Sequence, residues 1–238
     1  MNNENVEVID FDKLDVYLIN GNLAYNPHHL KKIHQKSFQC WNDVWSDYYT
    51  SEHPSGHRLN SDEFTRQDEV LALFYKGECF GITFFKEVHW DDLSAPLDSY
   101  FDLWPQEAID KLTSRGKIIL ICSQFTVAKN FRGKTTDIQW KYVLFGFIMK
   151  RLLESHVDGM TGTMRVKRGM GRVSFEAGAV PLMTNVVYKD HESESVDLVA
   201  FFHKEVGEKY AKNPYSDKFN ACWERLNGRL YSQLKIVA

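Results

Sequence analysis

The run Ile118-Ile-Leu-Ile-Cys-Ser-Gln-Phe-Thr-Val127, followed by a basic turn and an apolar helix, constrains this chain more than any other feature. Lys117–Val127 is rich in β-branched and apolar residues and reads as a buried strand, the strongest in the chain. Asp137–Ser155 reads as the strongest helix, with Trp140, Val143, Leu144, Phe147, Ile148 and Leu152 turned inward. It is apolar on more than one side, which suits a helix lying on a sheet. A strand and a helix of this kind must share one core, and the rest of the chain has to supply the other strands.

Strands and helices alternate on either side of that pair. Val16–Asn20 reads as a short opening strand and Asn20-Gly21-Asn22 as a turn. Asn26-Pro27 reads as an N-cap with proline at the first helical position, opening a helix to about Trp45 or Tyr49. Leu30, Ile33, His34, Phe38, Trp41 and Trp45 share one face of it. Ser51–Ser61 reads as a loop, and Glu69–Tyr75 with Cys79–Val88 as a hairpin about Lys76-Gly77-Glu78. Residues from about 89 to 116 form an insertion with Pro96, Tyr100, Phe101, Trp104 and Pro105, then a short helix at Gln106–Leu112. Beyond the core helix come a strand at Met160–Val166, a short helix at Gly171–Gly178, and strands at Val186–Tyr188 and Val196–Phe202. A C-terminal helix over about 216–235 carries Phe219, Trp223, Leu226 and Leu230 inward. No repeat or flexible linker divides the 238 residues, so a single domain is expected.

Composition removes several function classes. A net charge of −3 offers no cation surplus for a phosphate backbone, so no nucleic-acid partner is expected. The longest apolar run, Tyr142–Met149, falls far short of the roughly 18 residues of a membrane span. The polar, acidic start reads as neither a signal nor a transit peptide, which points to the cytoplasm. Cys40, Cys79, Cys122 and Cys222 form no C-x-x-C pair and read as reduced, buried thiols. His53 and His57 flank Pro54-Ser55-Gly56, a loop and not a helix face, so no metal site is expected.

The turn between the main strand and helix carries the chemistry. A loop that ends a strand and opens a helix exposes backbone N–H groups, and these with the helix dipole favour an anion. Arg132 and Lys134 add positive charge, and Gly133 lets a ligand approach the backbone. Taken alone, the segment is an ordinary strand-to-helix turn with solvated cations and Thr136 as N-cap.

The order of elements changes that balance. From about residue 15 to 203 it resembles the GNAT superfamily of N-acyltransferases: strand and helix, hairpin, central strand, phosphate-binding loop and helix, then strand, short helix and closing hairpin. Phe125-Thr-Val-Ala-Lys-Asn-Phe-Arg-Gly-Lys134 and Val173-Ser-Phe-Glu-Ala-Gly-Ala179 carry the resemblance. Arg132 fits the first position of the family's loop, while Thr135 and Asp137 stand where small residues are usual. The insertion together with Ser123, Phe125 and Val127 is similar to the acyl-homoserine-lactone and long-chain N-acyl amino acid synthase branch. That branch has Glu and Arg where this chain has Ile121 and Gln124, so only its general layout is carried over.

The resemblance implies an α/β (α+β) protein of GNAT fold: a mixed, mostly antiparallel central sheet flanked by helices, with an insertion before the central strand. It implies transfer of an acyl group, medium or long, from acyl-CoA or an acyl carrier protein to a small-molecule or peptide amine. A conventional acetyltransferase and a non-catalytic ligand-binding module are the alternatives. The donor would lie along Phe125, Thr126 and Val127, with its phosphate at Arg132, Gly133, Lys134, Thr135 and Thr136. Glu87, His89, Ser123 and Glu69 are base candidates, and Ser174 stands where the family often has a Tyr acid. Phe84, Phe101, Trp104 and Phe125 are expected to line an acyl groove. Arg165, Lys167, Arg168 and Arg172 form a basic segment suited to an acidic carrier protein, a phosphate or a carboxylate.

Overall fold

The computed structural model describes residues 6–52, 59–133, 136–188 and 191–226. Its strands are β1 (Leu14–Ile19), β2 (Glu69–Tyr75), β3 (Glu78–His89), β4 (Ile118–Val127), β5 (Gly159–Arg165), β6 (Val180–Tyr188) and β7 (His191–Phe201). They form one sheet in the order β1-β2-β3-β4-β5-β7-β6. The helices are α1 (Lys31–Glu52), α2 (Asp62–Thr65), α3 (Gln106–Thr113), α4 (Trp140–Leu153), α5 (Met170–Glu176), α6 (His203–Tyr210) and α7 (Ser216–Glu224). β1 with β2, β2 with β3, β5 with β7 and β6 with β7 pair antiparallel. β4 and β5 pair in parallel, Ile119–Ile121 against Gly159–Thr161, because α4 carries the chain back across between them. This is the mixed, mostly antiparallel sheet with helices that the sequence implied.

The chain packs as two compact units, Met1–Phe85 with Gln124–Phe147 and Asp217–Ala238, and Lys86–Ser123 with Ile148–Ser216. In the first, the apolar face of α1 meets the hairpin: Trp41, Phe64, Ile82 and Phe84 are fully buried, and the Trp41 ring lies 5.6 Å from Phe64 and 5.7 Å from Phe84. Gly146 on α4 is required there, since a Cβ would sit 2.3 Å from the Phe219 ring of α7. In the second, the amphipathic α3 buries Ala108, Ile109 and Leu112 against Phe101, Trp104, Ile121 and Leu198. The segment after β3 is closed at its base by Trp90 N donating to Lys117 O at 2.7 Å.

Several boundaries differ from the sequence reading. The core helix opens at Trp140 and not at Asp137, because residues 136 and 137 are tied to the N-terminal segment. Asp137 N donates to Glu7 O at 3.1 Å, Ile9 N donates to Asp137 Oδ1 at 2.9 Å, and Glu7 bridges Thr136 in parallel. Asn26 is not an N-cap. Its side chain accepts from Asn20 N and donates to Asn20 O and Asn22 O, and a 3-10 turn at His28–Leu30 precedes α1. β6 begins at Val180, well before the expected Val186, since a sheet-edge strand tolerates Pro181 and its register shifts. Neither α2 nor α6 was expected; α6 buries Val206 and Tyr210, one helical turn apart. The final helix ends at Glu224, and Leu230, Leu234, His53 and His57 lie outside the described residues.

Candidate functional site

The central strand is irregular where the donor site was expected. Gln124 sits at φ +56 inside β4, a left-handed conformation that costs a non-glycine residue about 1–2 kcal/mol. Such strain persists only where surrounding contacts over-determine it. Two tryptophans one turn apart on α1 supply those contacts. Trp41 Nε1 donates to Gln124 Oε1 at 3.3 Å, and Trp45 Nε1 donates to Thr126 Oγ1 at 2.8 Å. The Thr126 hydroxyl, fully buried, donates in turn to Gln124 O at 2.6 Å. Phe125, between them in sequence, is half-buried with its ring 5.7 Å from Phe145 of α4.

The turn that follows is fastened at both ends. Ala128 N donates to Phe80 O at 2.8 Å, and Phe131 is buried against Phe80 and Trp140. Arg132 Nε donates to Val127 O at 2.7 Å, so the guanidinium lies back along the end of β4. Lys129 pairs with Asp47 of α1. Gly133 has φ +72 with no atom within 4 Å of where a Cβ would stand, an open face of backbone. Thr136 donates to Ile138 O at 2.8 Å and does not cap α4. Lys134 and Thr135 lie outside the described residues. The first unit therefore brings together Phe125, Thr126, Val127, Arg132 and Gly133.

Glu87 and His89, two residues apart on β3, meet as the period of a strand requires. His89 Nε2 lies 2.9 Å from Glu87 Oε1, and His156 Nε2 lies 3.4 Å from the same oxygen. Ser123 is half-buried on β4, and Glu69 is buried at the start of β2. Ser174 is placed differently from a general acid. It is fully buried on α5, and its hydroxyl donates to Gly171 O at 2.7 Å within that helix. The four aromatics expected to line a groove occupy separate surroundings. Phe84 is part of the Trp41–Phe64 core, and Phe125 packs on Phe145. Phe101 and Trp104 stack with Tyr100 in the insertion, where Trp104 Nε1 is buried without a hydrogen-bond partner.

Burial pushes the Cys79 thiol well above its ordinary range, with help from its contact to Cys40, and pushes Cys222 to about 11. Neither is a thiolate at neutral pH. Among the described residues no three His, Cys, Asp or Glu side chains are grouped to hold a metal, and no helix is long and apolar enough to cross a membrane.

The sequence reading took Trp41 and Trp45 only as core. Their i, i+4 spacing, set against the alternate residues Gln124 and Thr126, is the signal that could have disclosed the clamp. His156 had no sequence signal, being brought to Glu87 by folding alone.

No family model matches the chain, and no curated protein matches it. Solved structures do. A CoA-dependent acyl-homoserine lactone synthase, BjaI, with SAM and isopentyl-CoA, superposes with a TM-score of 0.55 at 12% identity, over 89% of this chain and 99% of that one. FeeM, an N-acyl amino acid synthase from uncultured soil microbes, gives 0.51 at 12% identity over 86% and 97%. The acyl-homoserine-lactone synthase LasI gives 0.51 at 8% identity over 80% and 89%. The likeness is one of fold: this chain shares its architecture with these acyl-homoserine lactone and N-acyl amino acid synthases.

Proposed function

We propose that this protein is an acyltransferase that moves an acyl group from a phosphopantetheine thioester to an amine. The observation that carries the reading is the clamped irregularity of β4. A strand held out of regular pleat at Gln124 and ending in an Arg132–Gly133 turn presents fixed backbone groups beside a cation. Fixed amide dipoles suit the pantetheine arm and the oxyanion that forms at the thioester carbon, and the cation suits the arm's phosphate. The fold shared with BjaI, FeeM and LasI supports the same reading.

In the reaction the amine nitrogen bonds to the thioester carbon, the C–S bond breaks, and sulfur leaves with its electron pair. The nitrogen must shed a proton to a base, and Glu87 with His89, an imidazole beside a carboxylate, is the candidate that the second unit holds. The thiolate is a weak base and departs without a general acid, so the engaged hydroxyl of Ser174 is no obstacle. The reading extends to a medium or long acyl chain on the resemblance to the acyl-homoserine-lactone and N-acyl amino acid synthases alone, since Phe101 and Trp104 are buried in the core of the second unit. Coenzyme A and a carrier protein offer the same arm and remain alternative donors.

The test is release of free thiol from a panel of acyl thioesters, on coenzyme A and on carrier protein, with a mixture of amines. Release with at least one donor, lost together with donor binding in Arg132→Glu, is expected. No release from any donor overturns the reading, and undiminished binding by Arg132→Glu overturns the placement of the phosphate.

A further inference from the structure

Two exposed surfaces of the second unit carry opposite charge around an apolar centre. The first is the turn after β3. Residues 91–98 hold Asp91, Asp92 and Asp98 and no cation. Leu93 is 91% exposed and Leu97 81% exposed. This is a fixed protrusion: Asp92 N donates to His89 O, Ser94 N to Asp92 Oδ1 at 2.8 Å, Ala95 N to Asp92 O and Leu97 N to Ser94 O. Ala95 is buried beneath it, and Asp98 pairs with Lys86. Two exposed leucines on one turn rimmed by carboxylates form a small apolar patch with a polar edge, the layout of a contact surface.

The second surface follows β5. Residues 165–172 hold Arg165, Lys167, Arg168 and Arg172 and no anion, and Arg172 pairs with Glu176 on α5 at 2.8 Å while Lys167 is exposed. Val166 is 38% exposed among them, and Phe175 is 37% exposed on α5. A left-handed Gly169 fixes the junction between the 3-10 turn Val166–Arg168 and α5.

We propose that these two surfaces are complementary halves of an interface between two copies of this chain. The Asp91–Leu97 protrusion of one protomer docks on the Arg165–Phe175 segment of its partner. The apolar centres bury Leu93 and Leu97 against Val166 and Phe175, and the aspartates face the cations at the rim. Each chain carries both surfaces, and the proposed arrangement is a two-fold one in which the contact is made twice and the assembly closes as a dimer, in place of the open chain that a head-to-tail repeat would give. The turn is already hydrogen-bonded in its docking shape, so association costs little ordering. A second copy is favoured over an acidic carrier protein because the chain itself carries an exposed apolar, acidic turn whose charge is opposite to that of the exposed Lys167 and its neighbours.

Sedimentation of the full chain over a range of concentration and salt tests this. A dimer is expected at low ionic strength, weakening as the Debye length falls from about 10 Å at 0.1 M to about 3 Å at 1 M salt. Lys167→Glu and Asp91→Lys alter exposed side chains and leave the fold intact by circular dichroism. Each reversal acts at both contacts and weakens self-association about tenfold. An equimolar mixture of the two variants associates again, because each contact in the mixed dimer then joins opposite charges. Leu93→Ser with Leu97→Ser weakens association and is not rescued by mixing. A monomer under all conditions, a dimer indifferent to these changes, or a monomer whose basic segment binds only an acidic carrier protein overturns the proposal.

Discussion

Replacing Gln124 by glycine and, separately, by alanine isolates the strain in the central strand. Both changes remove the bond from Trp41 Nε1 to Gln124 Oε1, so that loss cancels between them. What differs is the backbone. At φ +56 alanine carries a left-handed penalty of about 1–2 kcal/mol, which glycine lacks. Glycine gives back about 0.5–1 kcal/mol through the greater freedom of its unfolded chain. Glycine is therefore the more stable of the two by about 0.5–1 kcal/mol. In a regular strand the sign reverses, and alanine wins by about the same amount. Thermal unfolding reads the comparison, at about 2–4 °C per kcal/mol for a chain of this size. An alanine variant as stable as the glycine variant, or more so, would show that β4 is regular at this position. The clamp by Trp41 and Trp45 would then have nothing to hold, and the argument for a shaped donor strand would fall with it.

Two further outcomes follow from single side chains. Ser174→Ala removes a buried hydroxyl that bonds within α5, and it should lower stability by about 1 kcal/mol while leaving the rate of thiol release unchanged; a large fall in rate at full folding would restore Ser174 as an acid. Asp158 accepts the N–H groups of Ile118 and Lys117, and these hold its carboxyl below the usual carboxylate range. Its folded pKa is thus below its unfolded value, so its stabilising effect is complete above about pH 4 and is lost as pH falls through the lower folded value. Asp158→Ala should be less stable at neutral pH and lose less on acidification, seen as converging urea midpoints of the two proteins below pH 4.

Much of the architecture was legible in the chain. Lys117–Val127 contains β4 because ten consecutive strand-forming residues admit little else, and the hairpin of β2 and β3 followed from two apolar runs about Lys76-Gly77. The core helix was found, but its start was misplaced, because the bonds that keep Asp137 out of the helix come from Glu7 and Ile9, distant in sequence. α6 was passed over since eight residues with two apolar positions give a weak period until Val206 and Tyr210 are seen buried.

The site divides along the same line. Local pattern placed the basic turn at Arg132–Gly133 after the strand, and the strand period put Glu87 beside His89. Pattern could not show that the hydroxyls of Ser174 and Thr126 are both buried and already donate, to Gly171 O and Gln124 O, because those acceptors are set by the fold. Nor could it show that Phe84 and Phe101 each lie in a buried core, since core and groove aromatics have the same chemistry. By itself the sequence determined the order of elements and the chemistry each one carries, for these depend on periodicity and residue type over short spans. Only the tertiary structure decided that β4 is strained at Gln124, that two indoles of α1 hold it there, and that His156 joins Glu87. Those facts depend on distances between residues far apart in the chain, which no local period encodes.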